Sequence, residues 1–157
     1  MTGNGPIRPY RKIAVMKIEK FGGTSPQLYS LVAPLVMDPV VLRQNNNYPF
    51  KTSARHEWLV AFDDEGTTVE GFFPVERRDT YLYVNNYYVS EKHEKTVLKE
   101  FVQEVKHLCE KNIPLILVSH TRHADFFYQK GFSIEKEWKL YVKMKYVKAE
   151  RKTQERV

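Results

Sequence analysis

Tyr87-Tyr88-Val89-Ser90-Glu91-Lys92-His93-Glu94-Lys95-Thr96-Val97-Leu98-Lys99 is the stretch where the chain changes period. Up to Val89 the residues are aromatic and β-branched, which suits a strand. From Val97 onward Val97, Leu98, Phe101, Val102, Val105, Leu108 and Cys109 recur at helical spacing. That is one apolar stripe on an amphipathic helix, with Ser90 read as its N-cap. A strand therefore hands over to a helix within a few residues, and Asn112 ends that helix.

Upstream lie the partners of that strand. Trp58-Leu59-Val60-Ala61-Phe62 is apolar throughout, so both of its faces are expected to be covered. Asp63-Asp64-Glu65-Gly66 reads as a hairpin turn, Val69 to Glu76 as the returning strand, Arg77-Arg78-Asp79 as a second turn and Tyr81 to Val89 as a third strand. Earlier still, Arg11 to Phe21 is β-prone. Leu28, Leu31, Val32 and Leu35 follow at helical spacing behind a Thr24 or Ser25 cap and Pro26. Pro34 and Pro39 are expected to split that segment into two helices, with Asp38 capping the second. An Asn-rich loop, residues 43–55, precedes the meander.

Downstream, Ile113 to Val118 is short and wholly apolar, as at a sheet centre. Thr121 to Lys130 reads as a helix stopped by Gly131. In the last strand Leu140, Val142, Met144 and Tyr146 are expected inward, and Lys139, Tyr141, Lys143 and Lys145 outward. The order is β-α-α-β-β-β-α-β-α-β-β. It predicts an α/β fold with a mixed sheet and helices on both faces. One domain over residues 11–146 is expected, with a flexible stretch at 1–10 and a disordered basic tail at 147–157.

The 157 residues suit a single core, and 42% hydrophobic residues argue against disorder. The net charge of +6 is uneven: Lys130 to Val157 holds nine basic and four acidic residues, or +5. This is either a patch for nucleic acid or phosphate, or a solvated lysine-rich edge and tail. The one cysteine, Cys109, fits a reducing cytoplasm, and there is no apolar leader or membrane-length run. A cytoplasmic protein with no metal site is expected, and His120 and His123 read as surface residues.

Three segments resemble a known family. Ala124-Asp125-Phe126-Phe127-Tyr128-Gln129-Lys130-Gly131-Phe132 is similar to the late helix of the GNAT-fold N-acyltransferases, which ends in Phe-Tyr, a basic residue and Gly-Phe. The meander ending in Tyr87-Tyr88-Val89 before a helix, and Val69-Glu70-Gly71-Phe72-Phe73, resemble that family's central strands. The resemblance covers roughly Arg11 to Tyr146. It implies transfer of an acetyl group from acetyl-CoA to an amine, with strands four and five splaying apart near Asn85-Asn86. It implies that Tyr128 protonates the departing thiolate. Tyr87, Tyr88 and Val89 would lie along the thioester, and Thr121 on the cofactor side.

The chain departs from the family at the turn that cradles the pyrophosphate. Glu94 stands where the family has Arg or Gln, and Val97 and Lys99 stand for its glycines. A carboxylate repels a diphosphate, and side chains crowd the backbone N–H groups that would bind it. Lys95 and Thr96, with Lys92, supply compensating donors. Glu70, Glu76 and Asp79 remain equal candidates for the general base. The alternative to an enzyme is a catalytically silent GNAT-like module that binds an acidic or nucleic-acid partner.

Overall fold

The computed structural model describes residues 17–148. The elements run β1 (Lys17–Gly22), α1 (Pro26–Val36), α2 (Pro39–Gln44), β2 (His56–Phe62), β3 (Val69–Arg77), β4 (Leu82–Val84), β5 (Tyr88–Val89), α3 (Glu94–Leu108), β6 (Leu115–His120), α4 (Ala124–Gln129), β7 (Ser133–Glu137) and β8 (Tyr141–Tyr146). The strands form one mixed sheet ordered β1-β2-β3-β4-β6-β8-β7, with β5 also paired to β3. The mixed α/β architecture expected above is the one observed. The start of the first expected strand, the N-terminal stretch at 1–10 and the tail beyond Lys148 lie outside the described residues.

Local chemistry sets the helix starts. Ser25 accepts from the backbone N–H groups of Gln27 and Leu28, and Asp38 from that of Val40. Pro34 does not break α1, which runs through it to Val36 and ends at Met37. Its missing N–H removes one bond, the one that would reach Ser30 O, and the helix ends within three residues of it. In α3 the buried residues are Val97, Leu98, Phe101, Val102 and Val105, the stripe expected from periodicity. Gly71 on β3 lets α3 sit close: a Cβ there would meet Tyr88 O at 2.7 Å and Val97 Cγ1 at 3.0 Å.

Two clusters share the core. On one face α1 buries Leu28 and Val32 against Trp58, Val60 and Phe72. On the other, α3 and α4 cover Leu59, Phe73, Val84, Leu117 and Met144, with Phe73 and Phe101 stacked at 4.4 Å. β2 is thus covered on both faces, as its unbroken apolar run predicts. On the α1 side Tyr83, Ile116, Val118, Lys143 and Lys145, on β4, β6 and β8, stay only partly buried. Leu140, expected inward, is 49% exposed because β8 begins one residue later.

Candidate functional site

The expected third strand of the meander is two strands. β4 pairs in parallel with β6 through Leu82–Leu115, Tyr83–Ile116 and Val84–Leu117. The chain then turns at Asn85-Asn86, where Asn86 has φ 59°. Asn tolerates this left-handed conformation better than most residues. Asn85 Oδ1 accepts the Asn86 N–H at 2.8 Å, and Asn45 Nδ2 donates to Asn86 Oδ1 at 2.9 Å. The chain resumes as β5, which pairs only with Gly71 and Phe72 of β3. The far end of β6, Val118 to His120, pairs only with β8. β5 and β6 therefore part past Val84 and Leu117 and leave a splay between them.

Two groups turn into that splay. Ser90 N–H donates to Glu70 O, which makes Ser90–Glu70 a hydrogen-bonded pair of the antiparallel ladder. By alternation Val89, opposite Gly71, holds its own N–H and C=O away from β3. Tyr87, 1% exposed, fills the base of the opening. Its hydroxyl accepts the His120 backbone N–H at 3.2 Å and donates to His123 Nδ1 at 2.6 Å. Burial pushes that phenol well above its ordinary range.

From Tyr87 the hydrogen bonds continue to the start of α3. His123 Nε2 meets the Glu94 carboxylate, and Arg122 Nε lies 3.4 Å from the same oxygen. Burial pushes His123 down more than Glu94 raises it, so His123 is neutral at pH 7. Its Nδ1 then accepts a hydrogen bond from the Tyr87 hydroxyl, and its Nε2–H donates to Glu94. Burial alone would raise the Glu94 carboxyl. The His123 hydrogen bond and the nearby Arg122 outweigh it and hold that carboxyl below its usual range. A carboxylate in the first turn also opposes the helix dipole favourably. The electropositive end of α3 thus carries a built-in anion with partners on the β6–α4 turn.

The remaining expected residues separate. Val97 is fully buried on Gly71 and Phe101, so its side chain belongs to the core. Lys95 and Lys99 are exposed, Thr96 is half-buried, and Thr121, exposed, donates to Lys139 O at 3.2 Å. Tyr88 packs on Phe72 on the opposite face, at 5.5 Å. Tyr128 is 61% exposed on α4, and its hydroxyl has no hydrogen-bond partner among the described residues. Ser90 does not cap α3 with its side chain, because its hydroxyl donates to Glu70 at 2.6 Å and a 3₁₀ turn over Glu91–His93 opens the helix instead. Of the three candidate bases, Glu76 and Asp79 sit in surface ion pairs with Arg78 and Arg55, while Glu70 is buried on Ser90.

His120 and His123 are not surface residues; they are 3% and 4% exposed. β6 runs to His120 rather than ending at Val118, and that carries both rings inward. Burial pushes His120 down to about 3, and its Nδ1 is the one buried side-chain nitrogen or oxygen without a partner among the described residues. Only the His-x-x-His spacing at a strand-to-helix switch hinted at this pair. No group of three or more His, Cys, Asp or Glu is placed to hold a metal ion among the described residues. No described helix is long and apolar enough to cross a membrane.

Solved structures share this architecture. An acyl-CoA N-acyltransferase from Pseudomonas aeruginosa superposes with TM-score 0.61 at 11% identity, covering 85% of this chain and 100% of that one. A GNAT-family acetyltransferase from Staphylococcus aureus gives TM-score 0.60 at 13% identity, over 84% and 98%. The PaiA N-acetyltransferase from Thermoplasma acidophilum, in complex with coenzyme A, gives 0.50 at 16%, over 85% and 99%. No protein-family model and no curated protein sequence matches the chain. The chain has the GNAT fold.

The site fits a CoA thioester at one end and not at the other. The splay, the outward Val89 backbone and the unpartnered His120 Nδ1 suit an amide-bearing arm. The first turn of α3 does not suit a diphosphate. It holds Glu94, with Glu91 in the 3₁₀ turn just before it, has no glycine, and has its dipole already answered by Glu94.

Proposed function

We propose that this chain transfers an acyl group from an acyl-CoA thioester, acetyl-CoA in the simplest case, to an amine. The observation that carries this reading is the splay between β5 and β6, which leaves the Val89 backbone unpaired on β5, while the end of β6 carries a buried His120 nitrogen without a partner among the described residues. A CoA donor supplies the activated thioester. The Val89 N–H is the donor available to a developing oxyanion, and it needs no reorganisation to act. Tyr88 and Val89 present the strand edge along which the acyl arm lies. Tyr87 does not exchange protons: its hydroxyl is committed to His120 and His123, and it braces the base of the opening. Tyr128, exposed and unbonded, is the proton donor to the departing thiolate in this reading.

Affinity for the diphosphate end is weak in this account, since Glu94 opposes it. The test is thiol release from acetyl-CoA with a panel of primary amines. Release above the spontaneous rate is expected with at least one amine, and Tyr128→Phe should lower kcat at least tenfold. No release with any amine would remove the reading, and an unchanged kcat in Tyr128→Phe would remove Tyr128 from it.

A further inference from the structure

The face of the sheet that α1 and α2 leave bare carries a groove with its own chemistry. Three adjoining hollows, of about 450, 350 and 390 Å³, share Tyr83 as a common wall. Each lies within the ~300–1,000 Å³ range of ligand sites. Register explains the groove: Tyr83, Ile116 and Lys145 face one way in one row, and Val118 and Lys143 in the next. Along this path the aromatic rings are Tyr83, Tyr81, Trp138, Tyr141 and Tyr48, and Trp138 and Tyr48 are 46% and 57% exposed.

Charge on the same walls is mostly positive. Lys51, Arg78, Lys143 and Lys145 line the hollows, and the only carboxylate among the lining residues, Glu76, is paired with Arg78 at 2.9 Å. Lys136 adds a cation 5.3 Å from the Trp138 ring. The groove reaches Asn85 and Asn86, at the start of the splay.

We propose that this groove binds single-stranded nucleic acid. The cations answer the phosphates, and the exposed rings answer unstacked bases, whose faces every nucleotide presents. A duplex would leave the rings without a partner, because its bases are already stacked. An acidic peptide would use the lysines and gain nothing from the aromatics. The proposal concerns binding alone and does not need the acyl-transfer reading.

Trp138 supplies the probe, since the other tryptophan, Trp58, is 2% exposed. A short oligothymidylate should quench the Trp138 emission at low salt. Lys51, Lys136, Lys143 and Lys145, in no ion pair among the described residues, imply a log–log salt slope near −3, at about −0.7 per phosphate for a single strand. Lys143→Gln with Lys145→Gln, which keeps most of both stems, should bring the slope to about −1.4. Trp138→Ala should weaken binding of a fluorescein-labelled strand by about tenfold. A duplex of the same length and polyglutamate should each bind at least tenfold more weakly than the single strand. Equal binding by polyglutamate or by duplex would overturn the proposal. So would a double-lysine variant that unfolds nowhere by circular dichroism yet keeps the full affinity and slope.

Discussion

The two ends of one seam behave in opposite ways. Where β5 leaves β6, the structure keeps groups unsatisfied: the Val89 backbone faces outward, and His120 Nδ1 is buried without a partner. A few residues on, at the first turn of α3, everything is satisfied from within: Glu94 answers the helix end and is itself answered by His123 and Arg122. The open end can gain free energy by taking a ligand. The closed end must first give up its own charge pairing. Under the proposed function, the open end would hold the acyl arm while the closed end grips the diphosphate poorly.

Removing the side chain that joins the two ends should have the largest effect. Tyr87→Ala leaves a cavity at the base of the splay and deprives His120 N–H and His123 Nδ1 of their partner. A loss of about 3–5 kcal/mol in chemical denaturation is expected, as for large buried aromatics. A loss below about 1 kcal/mol would mean that Tyr87 does not connect the two ends.

Acid should loosen the same seam by a smaller amount. The folded chain holds the His120 proton only near pH 3, against 6.5 for an ordinary histidine. Between those values the unfolded chain binds a proton that the folded chain refuses, so this contribution is full above pH 6.5 and is lost on acidification. His123 is shifted in the same direction. Glu94, shifted down, also contributes above its unfolded value and loses that contribution in acid. Denaturation at pH 5 should show about 2 kcal/mol less stability than at pH 7 from His120 alone. His120→Asn should flatten that dependence.

Glu94→Gln tests the closed end with the smallest change. It removes one charge and weakens two charge-assisted contacts at a partly exposed site, for a stability cost near 1 kcal/mol. CoA affinity should rise about tenfold by calorimetry, because Arg122 and the helix end become free to meet phosphate. An unchanged or weaker affinity would show that Glu94 does not oppose the diphosphate.

Much of this was legible in the sequence, and the limits are specific. The stripe from Val97 to Val105 and the apolar core of β6 follow from periodicity, because burial alone decides them. The residues from Tyr81 to Val89 read as one strand, and only the family resemblance implied a splay near Asn85-Asn86, where the chain in fact breaks into β4 and β5. Ser90 misled because a capping residue can bond elsewhere, and Glu70 lies 20 positions away. Glu94 read as a mismatched charge, since its partners lie 28 and 29 residues on. His120 and His123 read as surface groups because nothing local records that Tyr87 draws them inward.

The most direct measurement compares two donors that share the acyl arm and differ in the diphosphate: acetyl-CoA and acetyl-pantetheine, each titrated into the wild-type chain. If the splay binds the arm and the α3 end contributes little, their dissociation constants should both be near millimolar and agree within about fivefold. Acetyl-CoA binding at low micromolar concentration, a hundredfold or more tighter than acetyl-pantetheine, would contradict the account, because the α3 end would then be gripping the diphosphate despite Glu94.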